Sequence, residues 1–193
     1  MTIKDLRKYF TVTGEIKSNG DILDVYGSAR LYKKIDAIPF NFGKVIGDFN
    51  CHNKNLMTLH GCPFEVGGVF VCSHNKLTSL VGGPKKAGAY DCSSNNISNL
   101  IGGPVEVGIF ICVNTKLTSL DGIATSIDSI SVNWFKTIEL LRLIKISEVT
   151  LYSAPSKVQE IIQKYCGQRP LRQAIIKCQR ELIDAGYEDN AKM

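Results

Sequence analysis

The sequence predicts an α/β repeat protein, a short solenoid in which successive turns of the chain stack on one another. Four cysteines recur at intervals of 21, 20 and 20 residues, and each has an aromatic residue two positions before it and a branched aliphatic residue five positions after it. Repetition at this period is typical of solenoids, because one short unit can bury its apolar side chains only against its neighbours. We expect four clear repeats and a degenerate one at each end. The cysteines are Cys51, Cys72, Cys92 and Cys112.

Alternation along each predicted strand separates inward from outward side chains. Phe70 and Cys72 are expected to point into the solenoid, whereas Val71 between them is expected to point to the opposite, concave face. A small, weakly polar side chain fits a crowded interior turn, so the repeat cysteines are expected to be buried free thiols.

A polar column accompanies the apolar ones. Asn75 and Asn95 are expected to bond the backbone groups that each bend leaves unpaired. Lys54 and Thr115 occupy the same column in the outer repeats. The polar ladder is therefore not expected to be continuous there.

Two stretches carry a resemblance to a known family. FVCSHNKL, residues 70–77, resembles the strand signature of leucine-rich-repeat proteins, with Cys72 in an aliphatic place and Asn75 in the asparagine place. LTSLVGGPKKAGAYDCSSNN, residues 77–96, resembles the short twenty-residue class of bacterial effectors and the repeat proteins of bacteriophages. The closing segment, residues 172–193, also resembles that of the phage proteins.

This resemblance implies a leucine-rich-repeat solenoid over residues 35–133, with parallel β-strands on its concave face. It also implies a role as a phage accessory protein that binds and perturbs a bacterial host protein, for example one used in defence. That role rests on family association rather than on residue chemistry.

A stack of repeats exposes apolar side chains at both ends, so terminal caps are expected. Residues 1–34 are expected to form an N-terminal cap, with a box-like helix start at Thr2 and Asp5 and a hairpin that turns at Asn19 and Gly20.

Residues 134–193 are expected to form a helical C-terminal cap. The pattern predicts a helix over 135–146, a strand over 147–153, and two helices that open at Pro155 and Pro170. The last two are expected to form a helical hairpin on the final repeats.

The bulk composition favours no specialised partner. The 193 residues include 23 basic and 18 acidic side chains, a net charge of only +5, so nucleic acid is an unlikely partner by charge alone. No apolar run suits a signal peptide or a membrane span. We expect a cytoplasmic protein that does not enter membranes.

Motifs of catalysis and of metal or cofactor binding are missing from the sequence. There is no Gly-x-Gly-x-x-Gly after a strand, no phosphate-binding loop and no His-Glu-x-x-His. None of the seven cysteines has a Cys-x-x-Cys partner. Cys166 is expected to pack against a helix rather than to act as a nucleophile. We therefore predict a non-enzymatic protein without catalytic residues, cofactor or metal.

The outward positions of the predicted strands form the candidate binding site. Several are apolar where a solvated surface would be polar, and such patches mark protein interfaces. The alternative is that a terminal element, such as a helix near Phe135, covers this face. The predicted partner-binding residues are Asn50, Val69, Val71, Asp91, Ile109, Ile111, Val113 and Ser131.

A second candidate site lies in the C-terminal segment. Arg169, Arg172, Lys177 and Arg180 could meet phosphate groups of a nucleic acid or nucleotide, or they could form a solvated outer face. An exposed edge strand or the apolar face could also pair two copies of the chain, which leaves a homodimer open.

Overall fold

The computed structural model describes residues 3–192, which form a β-solenoid of about seven turns with parallel strands and few helices. The expected helix start at Thr2 lies outside the described residues. The strands are β1 (Phe10–Val12), β2 (Glu15–Asn19), β3 (Ile22–Tyr26), β4 (Ala29–Leu31), β5 (Asn41–Val45), β6 (Phe49–Asn50), β7 (Glu65–Val71), β8 (Lys86–Asp91), β9 (Glu106–Cys112), β10 (Ser126–Asn133) and β11 (Glu148–Tyr152). The helices are α1 (Ile3–Leu6), α2 (Ser156–Tyr165) and α3 (Leu171–Asp184), and two 3-10 turns span Leu140–Leu143 and Glu188–Asn190.

Each turn of the solenoid contributes one layer to a parallel ladder. The first two turns carry two short strands each, β3 with β4 and β5 with β6, and both ladders continue into the single strand β7. Parallel pairing then runs through β8, β9, β10 and β11. The register shifts between Val66 and Val69 of β7, which holds one more residue there than β8. This extra residue accounts for the single interval of 21 residues among the cysteines.

The core is a set of columns, as the repeat predicts. The rings of Phe49, Phe70, Tyr90 and Phe110 stack in order, with successive centroids 5.8, 4.7 and 5.6 Å apart. The four repeat cysteines are fully buried behind them, which confirms their predicted burial. Each buried aromatic side chain contributes roughly 1.5–3 kcal/mol through removal of apolar surface from water.

The asparagine ladder is confirmed in the two central turns. Asn75 accepts hydrogen bonds from the backbone N–H groups of Lys54 and Leu56 at 2.8 and 3.0 Å, and donates to the carbonyls of Cys51 and Cys72 at 2.9 Å each. Asn95 repeats the pattern one turn later, accepting from Leu77 N–H at 3.0 Å. Each amide thus ties two successive turns together.

The ladder stops at the outer repeats, as expected. The hydroxyl of Thr115 makes two long hydrogen bonds within its own turn, donating to the carbonyl of Cys112 at 3.5 Å and accepting from the thiol of Cys112 at 3.8 Å. Asn53 and Asn114 stand one residue earlier, where the backbone is left-handed with φ of 54° at both positions. Asparagine tolerates this conformation better than most residues, so these two residues serve the bend and not the ladder.

The N-terminal elements differ slightly from the prediction. Asn19 is the last paired residue of β2, opposite Ile22, so the hairpin loop is Gly20 and Asp21 and lies one residue later than expected. β3 also pairs in parallel with β5, so the ladder already includes residues before position 35.

The prediction of a helix over residues 135–146 is wrong. Only Leu140–Leu143 are helical, as a 3-10 turn. Ile138, Leu140, Leu141, Leu143, Ile144 and Ile146 are all buried. Because these apolar side chains would cover all sides of a helix, the segment that connects β10 to β11 is irregular instead of an amphipathic helix.

The other C-terminal predictions agree better with the structure. β11 supplies a seventh layer beyond residue 133. The helices begin directly after Pro155 and Pro170, and α2 packs against both β11 and α3. Gln159 of α2 accepts a hydrogen bond from Leu151 N–H at 2.9 Å and donates to the carbonyl of Val149 at 3.1 Å. Its side-chain amide thus occupies backbone groups on the outer edge of the last strand.

Candidate protein-binding face

The predicted partner-binding residues lie in adjacent rows on the outward side of the stacked strands, which we name the sheet face. The first row runs through Asn50, Val71, Asp91, Ile111 and Ser131, which are aligned in the strand register. The second row runs through Val69, Ala89, Ile109 and Ser129. Val113 begins a third row beside Ser93, whose hydroxyl oxygen accepts its N–H at 3.3 Å.

The sheet face is open to solvent at its apolar positions. Val69 is 39 % exposed and Ile109 is 48 % exposed, and Val71, Ile111 and Val113 are half-buried. Phe135, near which the alternative places a covering helix, is partly buried against the core. Within residues 3–192, therefore, no element hides Val69 or Ile109.

A column of alternating charge borders the apolar rows. Lys44 lies 2.8 Å from Glu65, and Lys86 lies 2.7 Å from Glu106, in ion pairs between neighbouring turns. The hydrogen bond that Lys86 donates to the carboxylate of Glu106 raises the pKa of Lys86. Such exposed pairs contribute little to stability but set the register of neighbouring side chains.

Carboxylates outnumber cations over the sheet face, although the chain carries a net charge of +5. Beyond the two ion pairs, the rows contain one arginine, Arg30, and three acidic residues, Asp48, Asp91 and Glu148. A fourth acidic residue, Asp128, lies next to the rows, opposite Gly108. A partner that presents basic groups around an apolar centre would complement this face.

A shallow groove separates the charged column from the apolar rows. Gly67, Gly88 and Gly108 leave a gap of about 260 Å³ along neighbouring strands, with Lys86 and Asp128 among its lining residues. A Cβ atom on Gly67 would lie 2.1 Å from the carbonyl oxygen of Ile46. Close stacking of the turns thus requires these glycines, and the groove is a consequence of it.

The alternative basic residues lie at the other end of the molecule. Arg172, Lys177 and Arg180 are exposed on α3, on the side opposite the buried Ala174, Cys178 and Leu182, and Arg169 is exposed in the turn before it. Arg180 lies 4.0 Å from Asp184. Acidic side chains such as Asp184 reduce the positive electrostatic potential of this surface of α3.

The thiols of Cys166 and Cys178 do not have the lowered pKa of a catalytic nucleophile. Burial raises the pKa of Cys166 to about 12, and the thiol lies 3.8 Å from the carbonyl of Leu143. Burial raises the pKa of Cys178 to about 12 as well. An activated thiol has the opposite shift.

The described residues contain neither a three-ligand metal cluster nor a membrane-spanning helix. Between residues 3 and 192, no three His, Cys, Asp or Glu side chains are placed to share a metal ion. None of the helices in that range combines the length and apolar character that crossing a bilayer demands.

Comparison of the chain with protein-family models, with curated proteins and with solved structures found no match. The function therefore has to be argued from the surfaces of this molecule.

Sequence reasoning missed the charged column and the second row's Ala89 and Ser129. The signal for the column was present, because Lys44, Glu65, Lys86 and Glu106 recur at 21, 21 and 20 residues. No comparable signal was present for Ala89 and Ser129. The extra residue in β7 shifts its outward positions relative to those of β8, so these positions do not follow a constant spacing.

Proposed function

We propose that the chain is a non-enzymatic protein-binding module of the leucine-rich-repeat type, and that its partner packs on the sheet face. The observation that carries this proposal is the exposure of Val69 and Ile109 in one row of a rigid parallel sheet. Isolated apolar residues on a surface need no explanation, but aligned rows of them on a repeat scaffold are typical of an interface.

The leucine-rich-repeat assignment is supported by the asparagine bonds. Asn75 and Asn95 each connect backbone groups of successive turns, in the place where the family's strand signature has its asparagine. With the resemblance to phage repeat proteins, this supports a more specific role: a phage accessory protein in the cytoplasm of a bacterium that binds a host protein, such as a component of defence.

The side chains of the sheet face limit the kind of partner surface that can bind there. An apolar centre built on Val69 and Ile109 suits an aliphatic or aromatic anchor, and the surrounding carboxylates suit arginine or lysine at the rim. Desolvation of the apolar rows would supply affinity, and the carboxylates would supply orientation.

Affinity capture from a bacterial lysate with matched variants tests this proposal. Val69→Asp with Ile109→Asp places two charges on the sheet face. Val81→Asp with Ile101→Asp changes the same residue types at positions 48 % and 55 % exposed on the turns, away from the face. We expect the wild-type chain and the turn variant to capture the same protein, and the face variant to lose it, with unchanged far-ultraviolet circular dichroism in all three. Equal capture by the face variant, or equal loss in the turn variant, would contradict the proposal.

Nucleic-acid or nucleotide binding through Arg169, Arg172, Lys177 and Arg180 is the competing proposal, supported by their exposure at one end of the molecule. Binding of that kind weakens steeply with added salt, whereas an apolar protein interface tolerates it. Captured nucleic acid that is lost in 0.5 M salt, on the order of a thousandfold weaker there, would favour the basic surface.

A further inference from the structure

Two of the three histidines meet on the surface of adjacent turns. The rings of His52 and His74 have centroids 5.0 Å apart and planes inclined at 69°. Both side chains are exposed, so burial in a core does not explain why they converge. The third histidine, His60, lies exposed elsewhere on the second turn.

The spacing of the two rings suits a shared metal ion. An ion bound to two imidazole nitrogens at 2.0–2.1 Å, with a bond angle between 90° and tetrahedral, separates the ring centroids by roughly 5 Å. The planes of two such rings need not be parallel, and both residues are exposed to the solvent from which an ion would bind.

One of the rings is already oriented by a buried group. Nδ1 of His52 lies 3.1 Å from the hydroxyl oxygen of Ser73, whose residue is only 3 % exposed. This hydrogen bond leaves Nε2 of His52 as the nitrogen that can bind a metal. Imidazole ligands are commonly held in this way, with one nitrogen bonded to the protein and the other to the ion.

We propose that His52 and His74 form a binding site for a divalent first-row transition metal, with affinity in the order Cu²⁺, Ni²⁺, Zn²⁺. Among residues 3–192, no third His, Cys, Asp or Glu side chain is placed to complete a three-ligand site with them. The remaining coordination positions are filled by water or by a ligand from outside the chain. This site does not depend on the proposed protein-binding role.

Isothermal titration of the untagged full chain with NiCl₂ and with CuCl₂ tests the site. We expect one ion per chain, bound more tightly by Cu²⁺ than by Ni²⁺. His52→Asn and His74→Asn should each weaken Ni²⁺ binding at least about tenfold, because one of two ligands is lost. Asparagine is chosen because position 74 has φ of 57°, which asparagine tolerates. His60→Asn is the matched control and should leave the affinity unchanged.

A second measurement needs no variant. The electron paramagnetic resonance spectrum of the Cu²⁺-loaded wild-type chain should show two nitrogen ligands. One nitrogen ligand or none would overturn the proposal. So would single variants at positions 52 and 74 that bind Ni²⁺ as tightly as the wild type, or a loss in His60→Asn as large as in His52→Asn.

Discussion

The middle turns of the solenoid and the segment after Trp134 bury apolar side chains in two different ways. In the middle turns, each inward side chain stacks on its equivalent one turn away, as the ring column from Phe49 to Phe110 shows. In residues 138–146, which connect β10 to β11, the apolar side chains are buried along an irregular segment whose only helical residues are Leu140–Leu143. The stacked arrangement produces a period in the sequence and a regular outer face. The irregular arrangement produces neither.

The comparison predicts that the asparagine ladder is the most sensitive part of the middle turns. Asn75→Ala removes a hydrogen-bond partner from five backbone groups of two turns. We expect a loss of about 3 kcal/mol or more in the free energy of unfolding, because each buried unsatisfied group costs about 1–3 kcal/mol.

Urea unfolding measures this loss, with Thr115→Ala in the same column as control. Thr115 makes only long hydrogen bonds to Cys112, at 3.5 Å to its carbonyl and 3.8 Å from its thiol, so the loss of stability in Thr115→Ala should stay below about 1 kcal/mol. Equal losses at the two positions would mean that the ladder does not hold the turns together.

The second prediction concerns the glycine that closes each turn. Gly102 has φ of 85°, and a Cβ atom there would lie 2.7 Å from the backbone nitrogen of Val81 in the preceding turn. Gly102→Ala should therefore cost about 2–3 kcal/mol, from backbone strain and from the forced separation of two turns.

Gly20→Ala separates these two causes. Gly20 has φ of 60° but no atom within 4 Å of its Cβ position, so only the conformational cost of about 1 kcal/mol should remain. If both alanine variants lower the midpoint urea concentration of unfolding by the same amount, stacking between turns does not require glycine.

The third prediction tests the C-terminal region. Gln159→Leu removes the amide that bonds Leu151 and Val149 on the edge of β11. The free energy of unfolding should fall by about 1–2 kcal/mol, and light scattering should detect self-association through the freed edge. Gln163→Leu, an exposed position on the same helix, should show neither effect. Monomeric behaviour of both variants would show that the edge needs no such protection.

The smallest expected effect is a gain. The buried hydroxyl of Tyr90 makes no hydrogen bond to the described residues, in a column where the other turns have phenylalanine. Tyr90→Phe should raise the free energy of unfolding by about 1 kcal/mol. Tyr165→Phe should lower it slightly, because the hydroxyl of Tyr165 donates to Glu181 at 2.8 Å. A loss at position 90 would indicate that its hydroxyl has a partner in solution.

The sequence predicted the parts of the fold that recur. The ring column, the buried cysteines, the roles of Asn75 and Asn95 and the helix starts after Pro155 and Pro170 follow from spacing and from local backbone preferences. The segment over 135–146 could not be predicted in this way, because the buried apolar residues between 138 and 146 would lie on all sides of a helix, so their spacing does not separate a helix from an irregular buried chain.

The candidate site was predictable in outline. Alternation along the strands identified the first row correctly, because one inward cysteine fixes its neighbours. The metal pair was not predicted, since His52 and His74 occupy different columns, directly after Cys51 and two residues after Cys72, and meet only because the turns stack side by side. A contact between residues of different columns can be predicted only when the lateral positions of neighbouring turns are known.

Titration of the purified captured partner against variants tests the central claim most directly. The face variant, Val69→Asp with Ile109→Asp, is compared with a basic-surface variant that carries Arg172→Gln, Lys177→Gln and Arg180→Gln. We predict that the face variant weakens binding at least about 30-fold, as expected for central apolar contacts, while the basic-surface variant binds within about threefold of the wild type. Binding that survives in the face variant and disappears in the basic-surface variant would contradict the assignment of the sheet face as the interface.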